Sequence, residues 1–500
     1  MSQRTSGILL HPTSLPGSFG IGDLGEYAYR FVDFLSATGQ KQWQVMPLGP
    51  TGYGDSPYAC LSAFAGNPLL ISPRKLIQDG FLPPNAASLQ SYPELSHSQV
   101  EFEKVAEAKK AVFEESFAYF IQHGRSIDQE RFTRFCESEQ HKHWLHNYAL
   151  FRAIKAHYAN EPWTKWEEAL IVRHPVAMAQ AEETLANVIL YHKYLQYLFY
   201  KQWSELHAYA RFNGIQIVGD MPIFLAHDSA DVWANQKLFH LDQLGNPKVV
   251  AGVPPDYFSA TGQLWGNPLY DWDAMAEDKY KWWVARFKSL LGLVDVVRLD
   301  HFRGFEAYWE VPAGEETAIN GKWVKGPAQD FFAAMQKALG HLPFIAEDLG
   351  VITPPVEAMR DAFNFPGMKV LQFAFDDTPA NAFLPHYHVA NSVVYTGTHD
   401  NQTTVSWFED RPAAVKETIL NYLGSHDANY IHWQLIRLAL ASVAQTVLIP
   451  MQDILGLTDD VARMNTPGKA EGNWAWRLQD QMITPEVLSS LKHWTEIYHR

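Results

Sequence analysis

Along this chain, apolar residues gather in short runs that end abruptly in ionisable side chains. Residues 294–305, VDVVRLDHFRGF, show the pattern best. Val294, Val296, Val297 and Leu299 suit a buried strand, and Arg298, Asp300, His301 and Arg303 then break it off in charge. Similar runs begin at Gly7 (GILLHP), Gln42 (QWQVMPL), Ile215 (IQIVGDMPIF), Pro343 (PFIAEDLG), Lys369 (KVLQFAF), Ser392 (SVVYTGTHD) and Thr446 (TVLIPMQD). Helical spacing follows the first run, over residues 25–38, where Tyr27, Phe31, Val32 and Leu35 share a face. Strand, loop, helix, strand is the βα unit of a parallel sheet. Most runs end in a polar or ionisable residue: His11, Asp220, Asp300, Glu347, Asp400 and Asp453. Eight runs with such C-terminal ends predict an α/β fold, a (β/α)8 TIM barrel with its site at that face. The competing reading is an open doubly wound sheet.

The runs are unevenly spaced. The gap from the second run at Gln42 to the third at Ile215 is far more than one helix and two loops need. Residues 99–123, 129–158 and 186–213 in that gap carry helical periodicity, which predicts a large α-helical insertion between the second and third strands. The expected organisation is a first barrel part over residues 1–66, the insertion over 67–205, and the rest of the barrel over 206–500. Within the last part, residues 245–272 form a Gly- and Pro-rich stretch that carries Tyr257, Phe258, Trp265, Tyr270 and Trp272. Solvated loops seldom hold five large aromatics, so this loop is expected to cover a substrate.

Composition narrows the function class. A chain of 500 residues that is 47% hydrophobic can bury a large core. Its net charge is -15 and its basic residues are scattered, which argues against a nucleic-acid or membrane surface. Two cysteines, Cys60 and Cys136, make no disulfide framework and fit a reducing compartment. The N-terminus has no targeting leader and no run is long enough to span a bilayer, so a cytoplasmic protein is expected. The 17 Trp and 22 Tyr suit a sugar ligand, whose C–H faces pack on aromatic rings.

Asp300, Glu347 and Asp400 carry the candidate chemistry. Glycoside cleavage with retention needs two carboxyl groups about 5–5.5 Å apart. Neighbouring barrel strands lie about 4.8 Å apart, so carboxylates ending the fourth and fifth strands meet at that range. Arg298, two residues before Asp300, leaves the strand on the same face and is expected to keep Asp300 ionised. Glu347 follows Phe344-Ile345-Ala346 and precedes Asp348; burial and a nearby carboxylate are expected to raise its pKa. Asp400 at the seventh strand is placed to stabilise positive charge at the anomeric carbon. The plain alternatives are turn caps and a structural Arg298–Asp300 ion pair. A metal site is disfavoured because the first strand has no HxH pair and the chain has no HExxH motif. No G-x-S-x-G elbow, P-loop or dinucleotide fingerprint is present, so no cofactor is expected.

GILLHPTSLPG, YGDSPYACLSAFAGNP, GDMPIFLAHDSADVWA, GVPPDYFSATGQLWGNPLYDW, RLDHFRGF, IAEDLG and TGTHDNQT together resemble the 4-α-glucanotransferases (amylomaltases), relatives of the α-amylases. The resemblance runs over nearly the whole chain. It implies transfer of an α-1,4-glucan segment to the 4-OH of another glucan through a covalent glucosyl-enzyme. It further implies Asp300 as nucleophile, Glu347 as acid/base and Asp400 as transition-state stabiliser. Arg298 and His399 would contact the donor sugar with Asp220 as a further polar contact, Tyr58 would stack at the cleavage point, Trp265 would line the acceptor side, and His301 and Asn465 would also bind substrate. The implied partners are maltooligosaccharides, starch or glycogen, with the protein acting as a monomer or homodimer. An α-amylase-type hydrolase is the runner-up. A non-catalytic glucan-binding protein is disfavoured by the presence of all three carboxylates.

Overall fold

The computed structural model describes residues 4–255, 259–376 and 380–500. Eight parallel strands close into a barrel: Thr5–Leu9, Gln42–Gln44, Gln216–Pro222, Val296–Asp300, Phe344–Ala346, Gly367–Val370, Ser392–Tyr395 and Thr446–Pro450. Each lies beside its neighbours in chain order, and the first pairs with the eighth to close the ring. All eight apolar runs therefore become barrel strands. The sixth ends earlier than expected, at Val370, and Leu371–Phe373 continues as a 3-10 turn. Leu371 and Gln372 are buried there, so the apolar run continues into the core after the ladder stops.

The insertion between the second and third strands is helical. Its longer helices are Phe102–His123, Ser126–Glu137, Leu145–His157, Pro175–Thr184 and Ala186–Phe212. The periodic stretch 129–158 is two helices rather than one. Ser138 is extended (ψ 145°), and its hydroxyl donates to the Phe135 carbonyl at 3.0 Å. A serine that bonds back to the main chain competes with helix continuation. Gln99 is outside its expected helix because it bridges to Trp476 near the other end of the chain.

Helix Ala186–Phe212 joins insertion and barrel without a break, running through position 205. Its two buried glutamines hold the barrel segment that leads into the insertion. Gln196 accepts from the Gly66 N–H at 2.8 Å and donates to the Gly66 carbonyl at 2.9 Å. Gln202 does the same for Ser72, at 2.7 and 3.2 Å. Gly66 has no room for a side chain, since a Cβ would lie 1.9 Å from the Phe199 ring.

A second sheet stands over the barrel mouth. It is antiparallel, in the order Gln263–Pro268, Val249–Val253, Ala307–Pro312 and Lys322–Lys325. The expected aromatic loop supplies its first two strands, so much of that loop is regular structure. Tyr270 and Trp272 are buried in the main core and do not face a substrate. Tyr257 and Phe258 lie outside the described residues.

The Gln196→Ala substitution is expected to lower unfolding stability by about 1–3 kcal/mol, because it strands a buried N–H and C=O at Gly66. The urea midpoint relative to wild type measures this; an unchanged midpoint would show that the glutamine clasp carries no load.

Candidate active site

The site starts at the fourth strand, where Arg298 and Asp300 point to the same side. Arg298 is buried and lies in register with Asp220 on the third strand. Its Nη1 donates to both Asp220 oxygens, at 2.9 and 2.8 Å, and lies 3.0 Å from Asp300 Oδ1. One guanidinium thus sits between two carboxylates. The Tyr58 hydroxyl donates to Asp220 Oδ2 at 2.7 Å, and the Tyr58 ring stacks on His399 with centroids 5.1 Å apart.

Glu347 follows the fifth strand. Leu299 pairs with Ala346, so the next residues, Asp300 and Glu347, leave the barrel side by side. Both Glu347 oxygens are held by main-chain N–H groups: His301 at 2.7 Å and Leu349 at 2.8 Å. His301 reaches that position in the left-handed region (φ 53°).

Burial pushes the Glu347 carboxyl up to about 7, and the charge of Asp300 adds to the rise; Arg298 and the two N–H donors oppose it. Burial also pushes Asp300 up to about 6, against the pull of Arg298. Asp300 is therefore less strongly held in its ionised form than its neighbour suggests, because desolvation outweighs the ion pair. Glu347 still holds its proton to higher pH than Asp300. The carboxylate acting on Glu347 is Asp300 rather than the adjacent Asp348. Asp348 turns away, accepting from Arg360 at 2.6 Å and from the Met368 N–H at 2.7 Å.

Asp400 follows the seventh strand and is 46% exposed. Asn465 donates to its carboxylate at 2.6 Å, Arg463 donates to its carbonyl at 2.8 Å, and His399 Nε2 lies 3.5 Å from it. Trp474, which sequence reasoning left without a role, is buried with its ring 5.8 Å from Tyr58 and 5.9 Å from His399. It lies in RMNTPGKAEGNWAWR, a stretch that resembles the family, but its two ring partners lie far away in the chain, so its place is not readable locally.

Trp265, 38% exposed, meets the His301 ring edge-on at 4.8 Å. Burial keeps that imidazole neutral, with a pKa of about 3. The structure thus gathers Tyr58, Asp220, Arg298, Asp300, His301, Glu347, His399, Asp400 and Asn465 in one recess, with Trp265 at its rim. Two other strand-end groups have structural work. Asp453 is buried and accepts from the Thr396 hydroxyl, the Thr404 N–H and the Thr404 hydroxyl at 2.5, 2.7 and 2.8 Å. His11 is buried and neutral, lowered to about 3 by burial and by His399.

A family profile described as 4-alpha-glucanotransferase matches residues 10–484. The chain belongs to the 4-alpha-glucanotransferase family. A relative from Synechocystis sp. called 4-alpha-glucanotransferase is 51% identical, with the alignment covering 100% of this chain and 99% of the relative. One from Thermus thermophilus with the same name is 47% identical over 99% of both. The solved structure "Amylomaltase from Streptococcus agalactiae in complex with acarbose" superposes with a TM-score of 0.96 at 40% identity, covering 100% of both chains.

Glu347 has a folded-state pKa above its unfolded value of about 4.3. The folded protein therefore binds the extra proton, and stability falls as pH rises through about 7. Glu347→Gln removes this penalty. Its unfolding midpoint relative to wild type is expected to rise from pH 5 to pH 8, by about 1–2 kcal/mol after solvent screening. A difference that stays flat or falls across that range contradicts the raised pKa.

Proposed function

We propose that this protein transfers α-1,4-glucan segments by a retaining double displacement in which Asp300 is the nucleophile and Glu347 the acid/base. Protonated Glu347 gives its proton to the glycosidic oxygen as Asp300 attacks the anomeric carbon. The C–O bond breaks, the shortened glucan leaves with a free 4-OH, and a glucosyl ester forms on Asp300. Glu347, now a carboxylate, takes the proton from an acceptor 4-OH. That oxygen attacks the anomeric carbon and releases Asp300. The observation that carries the reading is the side-by-side placement of Asp300 and Glu347 beyond the paired fourth and fifth strands, with Arg298 on Asp300 and main-chain N–H groups on both Glu347 oxygens.

The surrounding groups take supporting roles. Asp400, steadied by Asn465 and His399, faces the positive charge that develops in the transition state. Arg298 and Asp220 fix the donor sugar and the Asp300 carboxylate together. Tyr58 presents a flat face beside them, and Trp265 with His301 offers an acceptor sugar an apolar surface. Residues 67–205 act as an insertion subdomain on the barrel. The free cysteines suit a cytoplasmic enzyme.

Maltotriose as sole substrate is expected to give glucose together with maltopentaose and longer chains, at a constant number of reducing ends. Chromatography that finds only glucose and maltose, in hydrolytic stoichiometry, contradicts transfer. Activity is expected to rise through about pH 6 as Asp300 ionises and to fall through about pH 7 as Glu347 loses its proton. Asp300→Asn is expected to abolish turnover while glucan binding persists; a kcat near wild type removes the nucleophile assignment.

A further inference from the structure

Arg303 lies in the 3-10 turn Phe302–Phe305 that follows Asp300, and it takes no part in the scheme above. Its side chain is buried, yet it has no carboxylate partner within salt-bridge range among the described residues. One end of its guanidinium donates to the Val351 carbonyl. Its flat face covers Trp323, with Cζ 3.9 Å from the ring centroid. Trp323 is 41% exposed on the outer strand Lys322–Lys325 of the antiparallel sheet, and it meets Trp309 edge-on. A cation stacked on an indole is worth about 0.5–2 kcal/mol and holds the guanidinium in one plane.

Val351 closes the turn 348–351, which contains Gly350 at φ 81°. Leu349 in that turn is one of the two N–H donors to Glu347; His301, two residues before Arg303, is the other. The two donors thus come from separate segments, and Arg303 ties those segments to each other and to the sheet edge. Among the described residues, no other side-chain hydrogen bond joins the turn of residues 301–305 to the turn of residues 348–351.

We propose that Arg303 is a positioning residue for Glu347: it fastens the turn 348–351 to the edge of the antiparallel sheet, so that the Leu349 N–H stays on the Glu347 carboxyl. This rests on Glu347 being the acid/base. The charged groups around Glu347 are Asp300 and Arg298 from the fourth strand, neutral His301 from its turn, and on its own loop Asp348 paired with Arg360. Arg303 reaches Glu347 through the main chain; its charge also bears on His301, and the carboxylate that acts on it, Glu306, is paired with Lys325.

The test compares Arg303→Met, Arg303→Lys and Trp323→Leu in the full-length protein on two donors. Maltotriose needs its leaving oxygen protonated; α-maltosyl fluoride does not. With the turn released, Glu347 loses a donor that favours its charged form. The alkaline limb for maltotriose is then expected to move up by about half a pH unit or more. kcat/KM for maltotriose is expected to fall by about 10- to 100-fold, through kcat, while kcat/KM for the fluoride stays near wild type. Lysine keeps the charge but not the planar stack, so Arg303→Lys is expected to behave like Arg303→Met. Trp323→Leu, a half-exposed position, gives a smaller shift in the same direction and serves if the arginine variants do not fold.

An unmoved alkaline limb, equal losses on both donors, a rise in KM at constant kcat, or full rescue by lysine overturns the proposal. Glu347→Gln on the same donors separates the two readings. If it loses maltotriose turnover but keeps fluoride kcat/KM, the acid assignment stands whatever Arg303 does. If it keeps both or loses both, that assignment falls first.

Discussion

The contact on which this site depends is the buried Arg298 guanidinium held between Asp220 and Asp300. A buried ion pair is a poor source of net stability, because desolvating the charges offsets their attraction. Its consequence here is positional. Arg298 links the third and fourth barrel strands at the point where both end, and its partners reach Tyr58 on one side and the reacting carboxylate on the other. Removing Arg298 would leave two neighbouring carboxylates, Asp220 and Asp300, without their shared cation, at a cost of about 3–5 kcal/mol. The arrangement therefore holds as a unit.

Around that unit the barrel supplies proximity and the loops supply selectivity. Adjacent parallel strands place Asp300 beside Glu347 with no further device. What separates the two proton affinities is local: Asp300 lies next to the guanidinium, whereas Glu347 feels the field of Asp300, which its two main-chain N–H bonds only partly offset. Burial raises both, and the differences in neighbours set the order. Loops from distant parts of the chain then close the recess. Tyr58 arrives before the insertion, Trp265 from the antiparallel sheet, and Asn465 and Trp474 from the segment after the eighth strand.

The barrel was legible because each strand carries its own record: a short apolar run ending in a polar group. The residues at those ends, Asp220, Arg298, Asp300, Glu347 and His399, were legible for the same reason. Trp474 was not, since it matters only through rings more than 70 residues away. The antiparallel sheet was missed because its strands come from two separate excursions, 249–268 and 307–325, and neither pairs with the barrel. Aromatic content alone overestimated the covering loop, because Tyr270 and Trp272 fill the core instead. Neighbouring charge was only part of the picture in two places. Adjacency in sequence put Asp348 beside Glu347, whereas its side chain turns away to Arg360; Arg298 does favour ionised Asp300, but burial works against it.

The central claim is a glucosyl ester on Asp300. The direct measurement is the mass of Glu347→Gln after brief reaction with α-maltosyl fluoride and acid quench, followed by peptide mapping. Without a general base to activate the acceptor, the intermediate should accumulate, and the mass should rise by one maltosyl group on the peptide that contains Asp300. An adduct on another residue, or fluoride release with no adduct at any time point, would contradict the double displacement through Asp300.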